Sequence, residues 1–228
     1  MGLCIYSRDW LLRGLRSVPP DQQMRSPTLG ERILVEVLYW LTACIVAAFW
    51  LPARLPLVGS LLEMFVTYYP RGPLGYLLRG AYFKHKLRHM GQNVIIDTGA
   101  ILWPPENIEI GDNTHIDIHA KIIAGGKGYG YVRIGRRCRV AYDCYLQGKA
   151  GIDIHDDVGL AGQTAIFSGS NYYEDPARPG MLVSMSGLVP ESEQYVIRRP
   201  VTLEHHAAVA LQCVIVPGVT LGHQAYVT

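Results

Sequence analysis

The chain has 228 residues, with 21 basic against 19 acidic side chains and a formal net charge of +2. That near-balance, ordinary aromatic content and the lack of any nucleic-acid-binding motif give no ground for a nucleic-acid partner. The cysteines at 4, 44, 138, 144 and 213 are odd in number and form no CxxC pair. Cys138, Cys144 and Cys213 therefore fit small packing residues in a reducing compartment better than a disulfide framework.

Residues 1–32 read as a polar, irregular segment broken by VPPDQQ and SPTLG. The start MGLCIY has Tyr6 where a myristoylation signal needs Ser or Thr, so no lipidation is expected. Residues 33–90 read as an apolar helical hairpin followed by a basic juxtamembrane segment. The run from Ile33 to Leu51 holds one charge, Glu36, and sits at the lower edge of transmembrane length. It begins too late for a secretory signal and shows no cleavage site. Pro52, Arg54 and Pro56 break it, and LPLVGSLLEMFV follows. Two apolar helices over 33–66, joined at a proline–arginine corner, suggest a hairpin that dips into one leaflet and returns. Arg71, Arg79, Lys84, Lys86 and Arg88 come next without an acid. Bases beside an apolar anchor favour an anionic surface, at about 1 kcal/mol each. The expectation is a cytoplasmic protein, peripheral or monotopic at the inner face of the plasma membrane. The other reading has these helices cap the following domain or pack on a partner subunit.

From 91 to 228 the pattern changes. An aliphatic residue returns every sixth position: Ile96, Leu102; Ile110, Ile116, Ile122; Ile134, Val140, Leu146; Ile154, Leu160, Ile166; Leu203, Val209, Ile215, Leu221, Val227. Six matches neither a helix nor an alternating strand. It matches a three-sided coil that uses three hexads per turn, a parallel β-helix; the alternative is a sandwich of short strands. Interruptions at 103–109, 123–133 and 147–153 fall after every third hexad, where corner insertions belong. One long loop is extruded at 167–200. GGKGYGY at 125–131 lacks a phosphate-binding pattern and reads as a corner loop. AYVT stops in mid-coil, leaving an open sheet edge. Repeats need a terminal cap, so the last coils are expected to be missing or replaced by a partner.

The repeats and VALQCVIVPGVTLGHQAYV resemble the hexapeptide-repeat acyltransferases, in particular the sugar O-acetyltransferases of the maltose, galactoside, capsule and O-antigen type. GPLGYLLRGAYFKHKLRHMGQNVIIDTG is similar to the lead-in of their membrane-associated members. The resemblance covers roughly Gly91 to Thr228. It implies an all-β, left-handed parallel β-helix, a homotrimer with sites between subunits, acetyl-CoA as acyl donor and a sugar or polysaccharide acceptor; no metal is expected, because His115 and His119 diverge on coil sides. It also implies a base on the long loop, at a position that Asn171 fills here. An amide orients a hydroxyl but takes no proton at neutral pH, so Asn171→His is expected to raise transfer by one to three orders of magnitude. Asp143 matches an acceptor-binding position; it is an acceptor contact or a base on one reading, a turn former on the other. The resemblance places the CoA-binding tripeptide on Ala210, Leu211 and Gln212, with Leu211 larger than the family residue.

His155, His205 and His206 fall at coil corners and read as solvated. His115 and His119 are four apart, which brings them together on a helix but separates them on a coil. Two functions stay open at this level: an O-acetyltransferase, impaired by Asn171, or a catalytically inactive scaffold that keeps the coil.

Overall fold

The computed structural model describes residues 4–17, 23–125, 130–180 and 183–228. Within the N-terminal segment read as irregular, α1 (Arg8–Arg16) forms instead, because the Ser7 side chain accepts from the Trp10 amide and caps it. Helix α2 (Leu29–Phe49) starts at a Thr28–Glu31 capping box. Glu36, the lone charge of the apolar run, meets Arg8 of α1 at 3.0 Å. Among the described residues one helix, Leu29–Arg54 with its terminal turn, is long and apolar enough to cross a membrane. After the Pro52–Arg54 turn, α3 (Pro56–Tyr68) begins with proline in its first turn. Both α2 and α3 pack on α4 (Gly72–Lys86).

The coil has three parallel sides. The first carries His89–Met90, Ile108–Ile110, Val132–Ile134, Ile152–Ile154, Val201–Leu203 and Thr220–Leu221. The second carries Ile95–Ile96, His115–Ile116, Arg139–Val140, Gly159–Leu160, Ala208–Val209 and Tyr226–Val227. The third carries Ile101–Trp103, Lys121–Ala124, Tyr145–Gly148, Ala165–Phe167 and Val214–Ile215. The hexad positions face inward in one register: Ile96 pairs with Ile116, Ile116 with Val140, Val140 with Leu160 and Leu160 with Val209. All five are buried in a single core with Leu102, Ile122, Leu146 and Ile166. Leu221 and Val227, in the last coil, are only partly buried. Cys138 and Cys144 also point inward, and burial pushes each thiol up to about 11. They act as packing groups, not nucleophiles.

Each corner between the first and second sides, and between the second and third, turns on one residue with positive φ. Between the first and second sides these are Asn93, Asn113, Arg137, Asp157, His206 and Gln224; between the second and third, Gly99, His119, Asp143, Gln163 and Gln212. The long loop leaves the corner between the third and first sides as an antiparallel pair, Gly169–Asn171 with Val196–Arg198. Residues 126–129 of the GGKGYGY segment lie outside the described residues.

The helices close the first coil. Tyr82, Phe83 and Leu87 join the coil's own core. The Asn93 amide donates to Ile5 O at 2.7 Å and the Gly99 amide to Thr67 O at 2.8 Å, so the lead-in takes up amides of the first sheet edge. Arg79, which the basic run had offered to a membrane surface, is instead fully buried. It donates to Ile96 O at 2.6 Å, Val66 O at 3.1 Å and Pro70 O at 2.7 Å, tying α3, α4 and the coil together. Lys84 and Lys86 likewise turn inward, to Met90 O and Ala53 O. A basic run in sequence has become an internal clamp, because backbone carbonyls at the helix–coil seam need donors.

Candidate active site

The corner between the second and third sides lines up the chemistry. The His119 and Asp143 side chains come from consecutive coils, with Nδ1 3.9 Å from Oδ1. Gly99, in the coil before, leaves the space that the His119 ring fills: a Cβ there would lie 2.2 Å from the imidazole. Gly162 does the same for the Tyr142 ring, at 2.4 Å. Glycine's missing side chain thus lets rings lie flat along this edge. Asp143 is the left-handed residue of its corner, so it is a turn former by backbone and half-exposed by side chain. The turn-former reading holds, and the half-exposed carboxylate stands where an acceptor could reach it.

Ala210, Leu211 and Gln212 stand on the same edge, two coils beyond Asp143. Thr164 Oγ1 donates to Ala210 O at 3.0 Å, and Gln212 Nε2 donates to Gln163 Oε1 at 2.8 Å. Leu211 projects from this corner with 52% of its surface exposed. The backbone of the tripeptide is therefore held as a turn, with an apolar side chain beside it.

Asn171 lies elsewhere. It belongs to the arm at the far end of the third side, beyond Phe167. Its Nδ2 donates to Met185 O at 3.3 Å and to Gln194 Oε1 at 3.2 Å, which leaves Oδ1 as its free acceptor valence. Gln147, Lys149, Ser170 and Asn171 contribute to a pocket of about 300 Å³ there. The arm is pinned by Asp175, buried against Arg178; the guanidinium holds that carboxyl below its usual range. Arg178 also donates to Ser192 O and Gln194 O. Asn171 is thereby positioned by the loop's own fold.

One chain thus brings Asp143 and the Ala210–Gln212 tripeptide to one edge and sets Asn171 at the opposite edge of the same side. His119 was missed as a partner of Asp143, since the insertion at 123–133 hides their equivalence in sequence. Counting corners in place of residues would have found it. His115 and His119 do part, as coil geometry requires: His115 faces Asp97 and Asp117 on the second side.

No protein-family model matches the chain, and no curated protein matches it significantly. Solved structures do. A point mutant of AntD, an N-acyltransferase from Bacillus cereus, solved with dTDP and Coenzyme A, superposes with a TM-score of 0.56 at 23% identity, over 70% of this chain and 75% of that one. A second mutant, solved with dTDP-4-amino-4,6-dideoxyglucose and Coenzyme A, gives 0.55 at 24% over 63% and 71%. AntD with dTDP and 3-hydroxybutyryl-CoA gives 0.50 at 21% over 70% and 75%. The likeness is one of fold. This chain builds the same kind of repeated coil as those acyltransferases.

Proposed function

We propose that the chain transfers an acyl group from an acyl-CoA to a sugar. The finer reading is O-acetylation, by acetyl-CoA, of a cell-surface sugar or its lipid-linked precursor. The shared coil supports it, since the AntD structures hold Coenzyme A or an acyl-CoA and a dTDP group. The observation that carries it is the split of the site across the two edges of the third side. Asn171 and the His119–Asp143 pair serve one reaction only if neighbouring copies meet edge to edge, which a homotrimer achieves.

In that arrangement Asn171 Oδ1 accepts from a neighbouring hydroxyl of the sugar and so orients the reacting one. His119, with Asp143 beside it to stabilise the imidazolium, takes the proton as the oxygen adds to the thioester carbonyl. The tetrahedral oxyanion is met by corner amides. It then collapses with cleavage of the C–S bond, and the CoA thiolate takes a proton as it leaves.

The test is CoA release from acetyl-CoA with sugar acceptors, using full-length protein in detergent. His119→Asn should lower turnover by about 10²–10⁴-fold, and Asn171→Ala should act mainly on the acceptor KM. A tenfold or greater gain in Asn171→His, with His119→Asn unchanged, would put the base on the arm and defeat this assignment. A monomer by light scattering would defeat the shared site.

Exposed Leu211 and the amide at 171 favour a second reading, an inactive coil that serves as a scaffold. It predicts no acetyl-CoA binding, even in a Leu211→Ser variant. Membrane attachment belongs to the first reading and rests on the outward apolar faces of α2 and α3.

A further inference from the structure

Where α4 packs on the first coil, polar side chains converge on the second side. His115 faces outward from its strand, while Asp97 and Asp117 lead successive coils into the next corner. His115 Nε2 lies 2.9 Å from Asp97 Oδ2 and 3.1 Å from Asp117 Oδ1. The three donor atoms all fall within 4.8 Å of one another. Asp117 is 6% exposed, and its Oδ1 has no hydrogen-bond partner among the described residues. The ring nitrogen is bonded to Asp97, and its 3.1 Å approach to Asp117 Oδ1 makes no hydrogen bond. Asp117 Oδ2 is taken separately by Arg139, at 2.8 Å from Nη2. A buried carboxylate oxygen left unmet is costly, yet it is aimed at the imidazole and the other carboxylate.

We propose that Asp97, His115 and Asp117 bind a divalent transition-metal ion of the zinc class. Separations of 2.9 and 3.1 Å suit neighbouring ligands of an ion that takes imidazole nitrogen and carboxylate oxygen at about 2.0–2.2 Å. The ion would meet the orphaned Oδ1. An outer partner stands in place: the Arg139 guanidinium donates to Asp117 and fixes that carboxylate. The His115 side chain is 34% exposed, so one face of the position stays open to solvent or a further ligand. This runs against the sequence expectation of no metal, which weighed His115 only with His119. The ligands lie instead on adjacent coils.

The experiment strips full-length protein in detergent with a chelator, then titrates it with Zn²⁺. Bound metal is counted by mass spectrometry, and Co²⁺ absorption reports the ligand field. One ion per chain is expected, with a rise in melting temperature. His115→Ala and Asp117→Asn should lose both. Arg139→Met should weaken binding by about tenfold. His206→Ala, at a surface histidine pair, should change nothing. His115 is a surface position, so its variant decides the matter even if Asp117→Asn fails to fold. No uptake by the stripped protein, or equal uptake by His115→Ala, would overturn the site.

Discussion

The coil and the helical lead-in are both rich in aliphatic residues and place them in opposite ways. In the coil, Ile116, Leu146 and Ile166 are fully buried in a ladder that repeats every turn. In the lead-in, Leu29, Trp40, Leu57 and Leu61 face outward. Helices α2 and α3 bury one stripe against α4 and leave the rest of their apolar surface uncovered. Apolar content alone therefore says little; the period decides which surface ends inside. The coil is stabilised by its own packing, whereas the lead-in presents a face that wants a covering medium.

The seam between the two regions should give the largest effect. Arg79→Met removes the guanidinium from three backbone carbonyls, of which Pro70 O keeps a 3.5 Å bond from Thr98 Oγ1, and unmet buried acceptors cost about 1–3 kcal/mol each. A loss of roughly 3–5 kcal/mol is expected in denaturant unfolding, and a loss below about 1 kcal/mol would show that water replaces the clamp. Next comes the coil interior, where Leu146→Ala should cost about 2–5 kcal/mol through its cavity. Its counterpart Leu57→Ala, 74% exposed, should stay within about 0.5 kcal/mol and yet weaken binding to anionic vesicles. Equal costs at the two positions would erase the comparison. The smallest effect is electrostatic. Arg136 and Arg137 hold the carboxyls of Asp156 and Asp157 below their usual range. A depressed carboxyl stabilises the fold above its unfolded value, about 3.9, and that contribution is lost as pH falls through the folded value. Melting temperature should therefore drop on acidification below about pH 4, and less steeply in Asp157→Asn.

The coil was legible because every inward residue is specified by a spacing of six, and a register error would turn the core outward. Ile110, Ile134, Ile154 and Leu203 follow it despite four insertions. The chemistry was less legible, since a coil brings together residues separated by a whole turn plus its insertion. His119 meets Asp143 across the segment 123–133, and Asp97 meets Asp117 one turn on. Arg79 was misjudged for a different reason: nothing local marks a base in a basic run as buried until its carbonyl partners are known. Helix α1 was missed because its cap, Ser7, stands in a stretch whose other signals are breakers.

The closure of the first coil by the lead-in also makes the protein a ruler. Because α3, α4 and the first sheet edge are bonded to one another, the coils stack at a fixed height above the helices. Each adds about 4.8 Å. His119 then stands roughly 5 Å above the first coil, Asp143 roughly 10 Å, and the Ala210–Gln212 corner roughly 19 Å. On the proposed membrane-attached reading, a lipid-linked sugar would meet the His119–Asp143 pair close to the surface, while the acyl donor would enter from further out. On that reading the number of coils between the helices and the His119–Asp143 pair would set which sugar along a membrane-tethered chain is acylated.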